Sequence, residues 1–236
     1  MKHAKKIILL LSISCGLLFC MVLFLLYRGG YFTSLYNTIN AVPYSYGDNA
    51  QYIQRESMFE ISPATKADII FVGDSITARG EWQEFFPDKI VLNRGIDSDV
   101  TEGVYNRLSV IIEAKPEKIF LMIGINDLRQ NIPTETTVDY YEKTLDTLQA
   151  SLPDCEIYVQ SVLPVNSSTG IPNTQVQTLN VAIKELADSR NLIYIDLYSL
   201  LVDETNDLPS VYSVDGVHMT GEAYEIWLDA LKEYAK

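Results

Sequence analysis

Apolar and polar positions alternate in blocks along most of the chain, from Lys66 to the C-terminus. Short continuous apolar runs are typical of strands that are buried on both faces of a parallel sheet. Such runs predict strands at 68–72, 89–92, 118–123, 156–162 and 192–195. Between them, amphipathic stretches predict helices over 101–113, 134–152, 176–190 and 220–234. This alternation of strands and helices predicts a doubly wound α/β domain with a parallel sheet of about five strands over residues 66–236.

A different pattern occupies the N-terminus, where residues 7–27 form one apolar run without a charged residue. As a helix, this run would extend roughly 30 Å, which is the thickness of the hydrocarbon core of a bilayer. Lys2, Lys5 and Lys6 precede the run, and only Arg28 follows it closely. The positive-inside bias therefore predicts a single-pass transmembrane anchor, with residues 1–6 as a cytoplasmic basic tail and the rest of the chain outside the cytoplasm.

Cleavage of the N-terminal segment is the main alternative to an anchor. A signal peptide has an apolar region of about 7–15 residues that ends in small residues. Here the run is longer and ends in Leu-Phe-Leu-Leu-Tyr-Arg. The stretch 11–15 faintly resembles a lipoprotein cleavage site, but the apolar run continues past Cys15. We therefore expect an uncleaved anchor, and secretion after cleavage stays open.

The segment between the anchor and the domain, residues 28–65, is rich in Tyr, Asn, Ser and Gly and has weak periodicity. We interpret it as a stalk followed by a short lead-in to the domain. Its candidates for packing on the domain are Tyr52, Ile53, Met58 and Phe59.

Charge and cysteine content argue against several classes of partner. Residues 1–30 hold four of the basic and none of the acidic side chains, so the remainder has 14 basic and 31 acidic residues and a net charge of −17. An acidic surface disfavours binding to nucleic acid or to anionic lipid. Cys15 and Cys20 lie in the apolar run, and Cys155 and His218 are the only cysteine and histidine beyond residue 30. We therefore expect no disulfide within the domain, no metal and no cofactor.

Polar side chains of the types that take part in catalysis follow the predicted strands. Ser75 ends the sequence Gly73-Asp74-Ser75 after the first strand, and Asn126 lies in Gly124-Ile125-Asn126-Asp127 after the third. Asp215 and His218 follow the last strand and a loop. Ligands of doubly wound folds bind beyond the carboxyl ends of the strands. The three segments are therefore expected to meet at one site.

Nucleophilic acyl transfer needs the residue types that these segments carry. A serine hydroxyl attacks a carbonyl only when a base takes its proton, and His218 is the one imidazole beyond the N-terminal segment. Asp215, three residues earlier, is suited to fix the histidine tautomer. Asn126 offers a neutral amide donor for a developing oxyanion, and Gly95 permits the close approach of a backbone N–H.

Together these blocks resemble the SGNH, or GDSL-type, hydrolases. Gly73-Asp74-Ser75-Ile76-Thr77, Gly95, the block 124–127 and the block 215–218 occur in the order of that family, with Ile76 in place of its leucine. The resemblance covers residues 66–236. It implies a flavodoxin-like three-layer α/β/α sandwich and esterase activity without a metal. It also implies Ser75 as nucleophile, His218 as base and Asp215 as its partner, with Ser75, Gly95 and Asn126 forming the oxyanion hole.

Further residues near the blocks are candidates for binding the substrate: Asp74, Arg79, Trp82, Arg94, Asp127 and Arg129. Of these, Asp74 and Asp127 are expected mainly to hold loops, and a packing role is open for Trp82. Taken singly, Ser75 fits a helix cap and Asn126 fits a turn. Their joint occurrence, in this order, favours the catalytic interpretation.

The sequence therefore predicts a membrane-tethered, outward-facing serine esterase. The small domain has no evident insertion for a lid over a long acyl chain, so a short acyl group, most plausibly acetyl, is expected. The family resemblance points to O-acetylated carbohydrate, with a small-molecule or glycan ester as the partner. Transfer of the acyl group to a cell-surface polymer, a lysophospholipase and a non-catalytic glycan-binding domain remain alternatives, and the oligomeric state is open.

Overall fold

A computed structural model describes residues 14–16, 18–22, 24–25, 28, 45–62 and 66–236. Within these ranges, no helix combines the length and apolar character needed to cross a bilayer. The predicted tail over 1–6, much of the predicted anchor over 7–27 and the first part of the stalk lie outside the described residues. One compact unit extends from Ser45 to Lys236, and it contains all the strands of the sheet.

A parallel sheet of five strands forms the centre of this unit. The strands are β1 (Ile69–Gly73), β2 (Val91–Gly95), β3 (Lys118–Met122), β4 (Glu156–Gln160) and β5 (Ile193–Ile195), in the spatial order β2-β1-β3-β4-β5. The prediction of a five-stranded parallel sheet is confirmed. This strand order is that of flavodoxin-type folds. β1 pairs with both β2 and β3, so successive strands are added on one side of β1 and then on the other. The carboxyl ends of β1 and β3 are therefore where such a fold binds its ligand.

Helices connect the strands and complete the domain. They are α1 (Ala50–Ile61), α2 (Ser75–Ala78), α3 (Trp82–Phe85), α4 (Thr101–Asn106), α5 (Ser109–Ile112), α6 (Ile125–Arg129), α7 (Thr134–Ser151), α8 (Asn173–Ser189), α9 (Tyr198–Leu201) and α10 (Gly221–Leu231). Two single 3₁₀ turns lie at Tyr46–Asp48 and Ser167–Thr169. The predicted helices over 134–152, 176–190 and 220–234 correspond to α7, α8 and α10.

The second strand and the helix after it differ from their predicted bounds. The predicted strand at 89–92 is instead Val91–Gly95, because the polar residues at its end find partners. Asn93 Nδ2, for example, donates to the carbonyl oxygens of Thr77, Ala78 and Gly80 at 3.0–3.1 Å. The predicted helix over 101–113 is divided into α4 and α5. It is interrupted at Arg107, whose side chain turns into the protein interior.

The helix α1 lies in the segment 28–65, for which the sequence predicts a stalk and a short lead-in to the domain. It packs through Tyr52 and Phe59, which form a small apolar cluster with Ile96. Ile53 and Met58, the other two candidates for packing, are more than half exposed. Helical periodicity explains the difference, because Tyr52 and Phe59 are seven residues apart and share one face of the helix.

Aromatic side chains dominate the core on one side of the sheet. The Phe71 ring stacks on Trp82 at 3.8 Å between centroids and on Phe120 at 5.0 Å, and Phe120 stacks on Tyr158. Trp82 is 1 % exposed and donates its indole N–H to the Thr77 carbonyl at 2.8 Å. Trp82 is thus part of the core, and its candidate role in binding substrate is replaced by a packing role.

Candidate active site

The carboxyl end of β1 places Ser75 at the first position of α2. The Asp74 carboxylate caps this short helix by accepting a hydrogen bond from the Ile76 N–H at 2.9 Å. The cap allows the chain to turn directly from strand to helix, so the serine is carried at the edge of the sheet. Ser75 is 7 % exposed, so it is buried without being fully closed off from solvent.

A chain of two hydrogen bonds joins Ser75 to the distant segment that carries the histidine. The distance from Ser75 Oγ to His218 Nε2 is 2.9 Å, although the two residues are 143 positions apart. On the other side of the ring, His218 Nδ1 lies 2.6 Å from Asp215 Oδ2. The three side chains that the sequence singled out for nucleophilic chemistry are therefore in direct contact.

The loop that carries Asp215 and His218 is held by its own polar groups. Asp215 Oδ1 accepts the backbone N–H groups of Val217 at 3.0 Å and His218 at 2.8 Å. Ser213 Oγ accepts the N–H of Gly216, which has a φ of +86°. Residues with a side chain rarely adopt that conformation, so glycine suits this turn. The turn orients one Asp215 oxygen toward the backbone and the other toward the imidazole.

The charge state of Asp215 follows from these contacts. Partial burial raises the pKa of the carboxyl, but the hydrogen bonds from the His218 side chain and from the His218 and Val217 backbone outweigh that effect. The pKa of Asp215 is consequently well below its ordinary value. Asp215 therefore remains a carboxylate over the whole range in which a histidine titrates, and it can stabilise an imidazolium at His218.

Asn126 lies in α6, just beyond the carboxyl end of β3, and is 6 % exposed. Its Nδ2 donates to the Asp99 carbonyl oxygen at 3.0 Å. An amide has two N–H bonds, so this contact orients the group and leaves a second donor available for another acceptor. The geometry is compatible with the predicted role of Asn126 in binding an oxyanion.

Gly95 does not have the environment expected of an oxyanion donor. Its N–H already donates to Asn93 Oδ1 at 2.9 Å. A Cβ at this position would overlap the backbone nitrogen of Ala78 and contact the Asp74 carbonyl oxygen. Glycine at position 95 therefore serves the close packing of β2 against α2, and it supports the turn that carries Ser75.

Arg107 and Asp99 form a buried ion pair behind the site, and both side chains have no exposed surface. Arg107 Nε donates to Asp99 Oδ2 at 2.9 Å, Nη1 donates to the Arg94 carbonyl at 2.8 Å, and Nη2 donates to the Gly73 carbonyl at 3.1 Å. One guanidinium thus ties the ends of β1 and β2 to the loop whose Asp99 carbonyl orients Asn126. Burial raises the pKa of Asp99, and the Arg107 charge opposes that rise.

Asp127, another candidate for binding substrate, is fully buried and serves a structural purpose. Its carboxylate accepts hydrogen bonds from the Thr101 N–H and hydroxyl and from the Thr137 hydroxyl. It thereby joins the loops after β2 and β3 to α7. Asp74 is likewise buried and caps α2. Both residues hold loops, as expected, and neither is open to a substrate.

The three arginines among the candidates for binding substrate are placed differently. Arg94 is only 7 % exposed, and its guanidinium lies 4.6 Å from the centroid of the Phe59 ring. The Arg79 side chain is 49 % exposed, with Nη2 3.8 Å from Asp97 Oδ2. Arg129 is exposed at the last residue of α6. Arg79 and Arg129 are therefore accessible to a ligand from solvent, whereas Arg94 is largely covered.

The sequence reasoning did not identify Asp99, Arg107 or the helix α1 as part of this region. Asp99 and Arg107 are eight positions apart and only Arg107 lies in the helix predicted over 101–113, so the sequence gives no signal of a buried pair. The only available hint was the aromatic pair Tyr52 and Phe59, which shares a helical face.

Comparison with known proteins places these observations in context. Residues 71–226 match the model of the GDSL-like lipase/acylhydrolase family. The alpha2 subunit of rat platelet-activating factor acetylhydrolase IB is 27 % identical over 167 residues, which are 66 % of this chain and 71 % of that protein. N-acylneuraminate cytidylyltransferase from Escherichia coli is 27 % identical over 121 residues, which are 51 % of this chain but only 28 % of that enzyme.

Solved structures show the same fold. A platelet activating factor from Streptococcus pneumoniae has 28 % identity and a TM-score of 0.71, with 78 % of this chain and 91 % of the other covered. A variant of the acetyl xylan esterase Axe2 from Geobacillus stearothermophilus has 22 % identity and a TM-score of 0.56, with 72 % and 95 % covered. At this lower identity the second likeness describes the fold alone.

Proposed function

The chain belongs to the GDSL-like lipase/acylhydrolase family and is an ester hydrolase, and we propose that it works through Ser75, His218 and Asp215. The observation that carries this proposal is the continuous contact from Ser75 Oγ to His218 Nε2, at 2.9 Å, and from His218 Nδ1 to Asp215 Oδ2, at 2.6 Å. Both distances are those of good hydrogen bonds, and each ring nitrogen has one partner.

In the proposed reaction, Ser75 Oγ attacks the ester carbonyl carbon while His218 Nε2 takes the hydroxyl proton. The tetrahedral intermediate collapses, the carbon–oxygen bond to the alcohol breaks, and His218 returns the proton to the leaving alcohol. Water then attacks the acyl-enzyme with His218 again as the base, and the carboxylic acid and free Ser75 are regenerated. Asp215 stabilises the imidazolium in both halves of the reaction.

The oxyanion of the intermediate needs donors that are already in place. The second amide N–H of Asn126 is one such donor, because its first is held by the Asp99 carbonyl. The backbone N–H of Ser75, at the first position of α2, is the other donor in the proposal. The N–H of Gly95 is not included, since it is paired with Asn93.

We propose that the substrate is an ester of a short acyl group, acetyl, with a carbohydrate alcohol. The rat relative is named an acetylhydrolase, and Axe2, which shares the fold, is named an acetyl xylan esterase. The catalytic domain is proposed to lie outside the cytoplasm, because the apolar run over 7–27 follows Lys2, Lys5 and Lys6. O-acetylated glycans of a cell surface are accessible to an enzyme in that location.

The test is hydrolysis of p-nitrophenyl acetate, butyrate and octanoate by the full chain and by two variants, Ser75→Ala and His218→Ala. We expect acetate to be the best substrate and each substitution to lower kcat by about 10³-fold or more. Ser189→Ala, which removes a serine hydroxyl at the end of α8, is the matched control and is expected to be fully active. Turnover that survives Ser75→Ala would exclude Ser75 as the nucleophile, and a preference for octanoate would contradict the short acyl group.

A further inference from the structure

A cavity of about 250 Å³ lies between α1 and the loops that carry the active site. One wall is formed by four residues of α1, and the other includes Ala78, Gly95 and Asp97. The residues of α1 are Gln51, Gln54, Arg55 and Met58. The match to the family begins at residue 71. The first wall is therefore supplied by an element outside the matched region, so the shape and charge of this cavity are features that the family match does not describe.

The cavity is close to the nucleophile. Ala78 is the last residue of α2, which begins at Ser75, so the two residues are about 5 Å apart along the helix axis. Asp97 lies two positions before Asp99, and the carbonyl oxygen of Asp99 orients Asn126. A sugar ring is of about the same size as the distance between Ser75 and Ala78. The alcohol part of an ester whose carbonyl is at Ser75 is therefore long enough to extend into the cavity.

Contacts between α1 and the loop after β2 define the position of the first wall. Asn49, which caps α1, donates from Nδ2 to the Asp97 carbonyl at 3.1 Å. The Tyr52 hydroxyl donates to the Gly103 carbonyl at 3.0 Å, and Tyr52 is 2 % exposed. The first contact holds α1 against the loop after β2, and the second holds it against α4. The polar side chains of α1 are thus held at a defined distance from the active-site loops.

Two guanidinium groups lie close together beside the cavity, although the domain as a whole is strongly acidic. The guanidinium groups of Arg55 and Arg94 lie 4.9 and 4.6 Å from the centroid of the same ring, Phe59. Burial lowers the pKa of Arg94, and the charges of Arg55 and Arg107 lower it further. Arg94 Nε is buried without a hydrogen-bond partner in the part of the chain that the structure describes. The positive charges of Arg55 and Arg94 therefore lie close enough to repel each other.

Arg55 is the member of this group that solvent reaches, and it is part of the cavity wall. None of the ion pairs among the described residues includes Arg55, and the Asp97 carboxylate in the opposite wall is paired with Arg79. A guanidinium binds a carboxylate through two parallel hydrogen bonds, and the nearby charge of Arg94 strengthens the attraction for an anion. Beside it, the amides of Gln51 and Gln54 offer the donors and acceptors that sugar hydroxyls need.

We propose that this cavity binds the alcohol part of the substrate and that Arg55 pairs with a carboxylate of that part, as in an O-acetylated acidic sugar. The inference rests on the proposed esterase function and adds the substrate class. Gln51 and Gln54 bind the hydroxyl groups of the same sugar. Arg94 is covered by Phe59 and contributes its charge without touching the ligand.

The test compares mono-O-acetylated galacturonic acid with mono-O-acetylated galactose, which differ in the carboxylate. For the full chain we expect kcat/KM to be roughly five- to tenfold higher for the acidic sugar, in the range of one exposed charge-assisted contact. Arg55→Gln should bring the two values together, mainly by raising KM for the acidic sugar. Arg55→Lys should keep part of the preference.

Arg190→Gln is the matched control, because Arg190 pairs with Glu142 and Asp146 beyond the end of α8. It should keep the full preference for the acidic sugar. Equal kcat/KM for the two sugars in the wild type, or a preference that Arg55→Gln leaves unchanged, would overturn the anionic subsite while the esterase function stands.

Absence of any ester turnover would instead reject the proposed function. In that case, titration calorimetry with galacturonate and galactose would test the cavity separately. Binding of galacturonate that is weakened at least fivefold by Arg55→Gln would support the subsite, and equal binding of the two sugars would reject it.

Discussion

The surroundings of four aspartates around the active site shift the pKa values of their carboxyl groups in opposite directions. Asp215 is partly exposed and accepts three hydrogen bonds from His218 and Val217, which lower its pKa. Asp74, Asp99 and Asp127 are buried, and loss of hydration is the largest effect on each, raising the pKa values to about 7, 6 and 6. The environment thus keeps a charge beside His218, the proposed base, whereas the buried carboxyl groups hold loops in place.

Asp74 makes this difference measurable as a dependence of stability on pH. Its ordinary pKa is 3.8, and burial raises it to about 7 in the folded protein. Protonation therefore favours the folded state, so the stabilising contribution is complete below about pH 4 and is lost as the pH rises from there through about 7. Asp74→Asn keeps the cap but removes the charge.

We expect Asp74→Asn to raise the free energy of unfolding by about 1–2 kcal/mol at pH 5 and by up to about 4 kcal/mol at pH 8. Urea unfolding at both values checks this. Asp154→Asn, on an exposed residue, serves as the control and should change stability equally at both values. A gain from Asp74→Asn that is no larger at pH 8 than at pH 5 would contradict the argument.

At the scale of elements, the short helix α2 is positioned by its contact with the end of β2. Gly95 pairs with Gly73 across the sheet and lies directly against the backbone of Ala78. Asn93 strengthens the contact by donating to the carbonyl groups at the end of α2 and just after it. Ser75, the proposed nucleophile, is therefore positioned by backbone packing between a strand and a helix, and this packing leaves no space for a side chain at position 95.

Gly95→Ala tests whether position 95 acts through packing. The added Cβ would overlap the backbone of Ala78, which has little freedom to move. We expect a loss of about 1–3 kcal/mol in the free energy of unfolding and a fall in kcat, because α2 must shift. Thermal unfolding and ester hydrolysis measure both effects.

Gly221→Ala is the control for this substitution, since a Cβ at that position would meet nothing within 4 Å. It lies at the start of α10, where alanine should be neutral or stabilise the fold by about 0.5–1 kcal/mol. If Gly95→Ala were as stable and as active as Gly221→Ala, packing at position 95 would not be the reason for glycine.

At the scale of the whole molecule, charge is divided sharply along the chain. The charged side chains up to position 30 are all basic, and the rest of the chain has a net charge of −17. The proposed orientation uses this division, because basic residues flank the cytoplasmic side of a membrane helix. An acidic domain is also repelled by an anionic membrane surface, which favours a position away from the lipid headgroups.

This orientation leads to a prediction for the full chain in a bacterial host. We expect it to remain in the membrane fraction after carbonate extraction, and an alkaline phosphatase fused at the C-terminus to be active, since that reporter folds only outside the cytoplasm. Substituting Lys2, Lys5 and Lys6 by Gln should lower the reporter activity. A soluble full-length chain with an inactive reporter would contradict both the anchor and the orientation.

The amino-acid sequence alone was sufficient to predict the five strands, the helices α7, α8 and α10, and the reactive groups. Apolar runs predicted the five strands within a few residues, because a buried parallel strand requires apolar side chains on both faces. The blocks that hold Ser75, Asn126, Asp215 and His218 were also readable, because each lies just beyond a strand or in a turn with its own composition. These signals are local in the sequence, so they can be interpreted without knowing which residues they contact in the folded protein.

Contacts between residues that are distant in the sequence could be identified only in the folded chain. The contact between Ser75 and His218 spans 143 positions, and no local pattern encodes it. The same holds for Arg107, whose pairing with Asp99 and two strand ends interrupts the predicted helix. Trp82 is a core residue because its ring stacks on Phe71, which belongs to another element. Hydrogen bonding and burial depend on distances that arise only when the chain is folded.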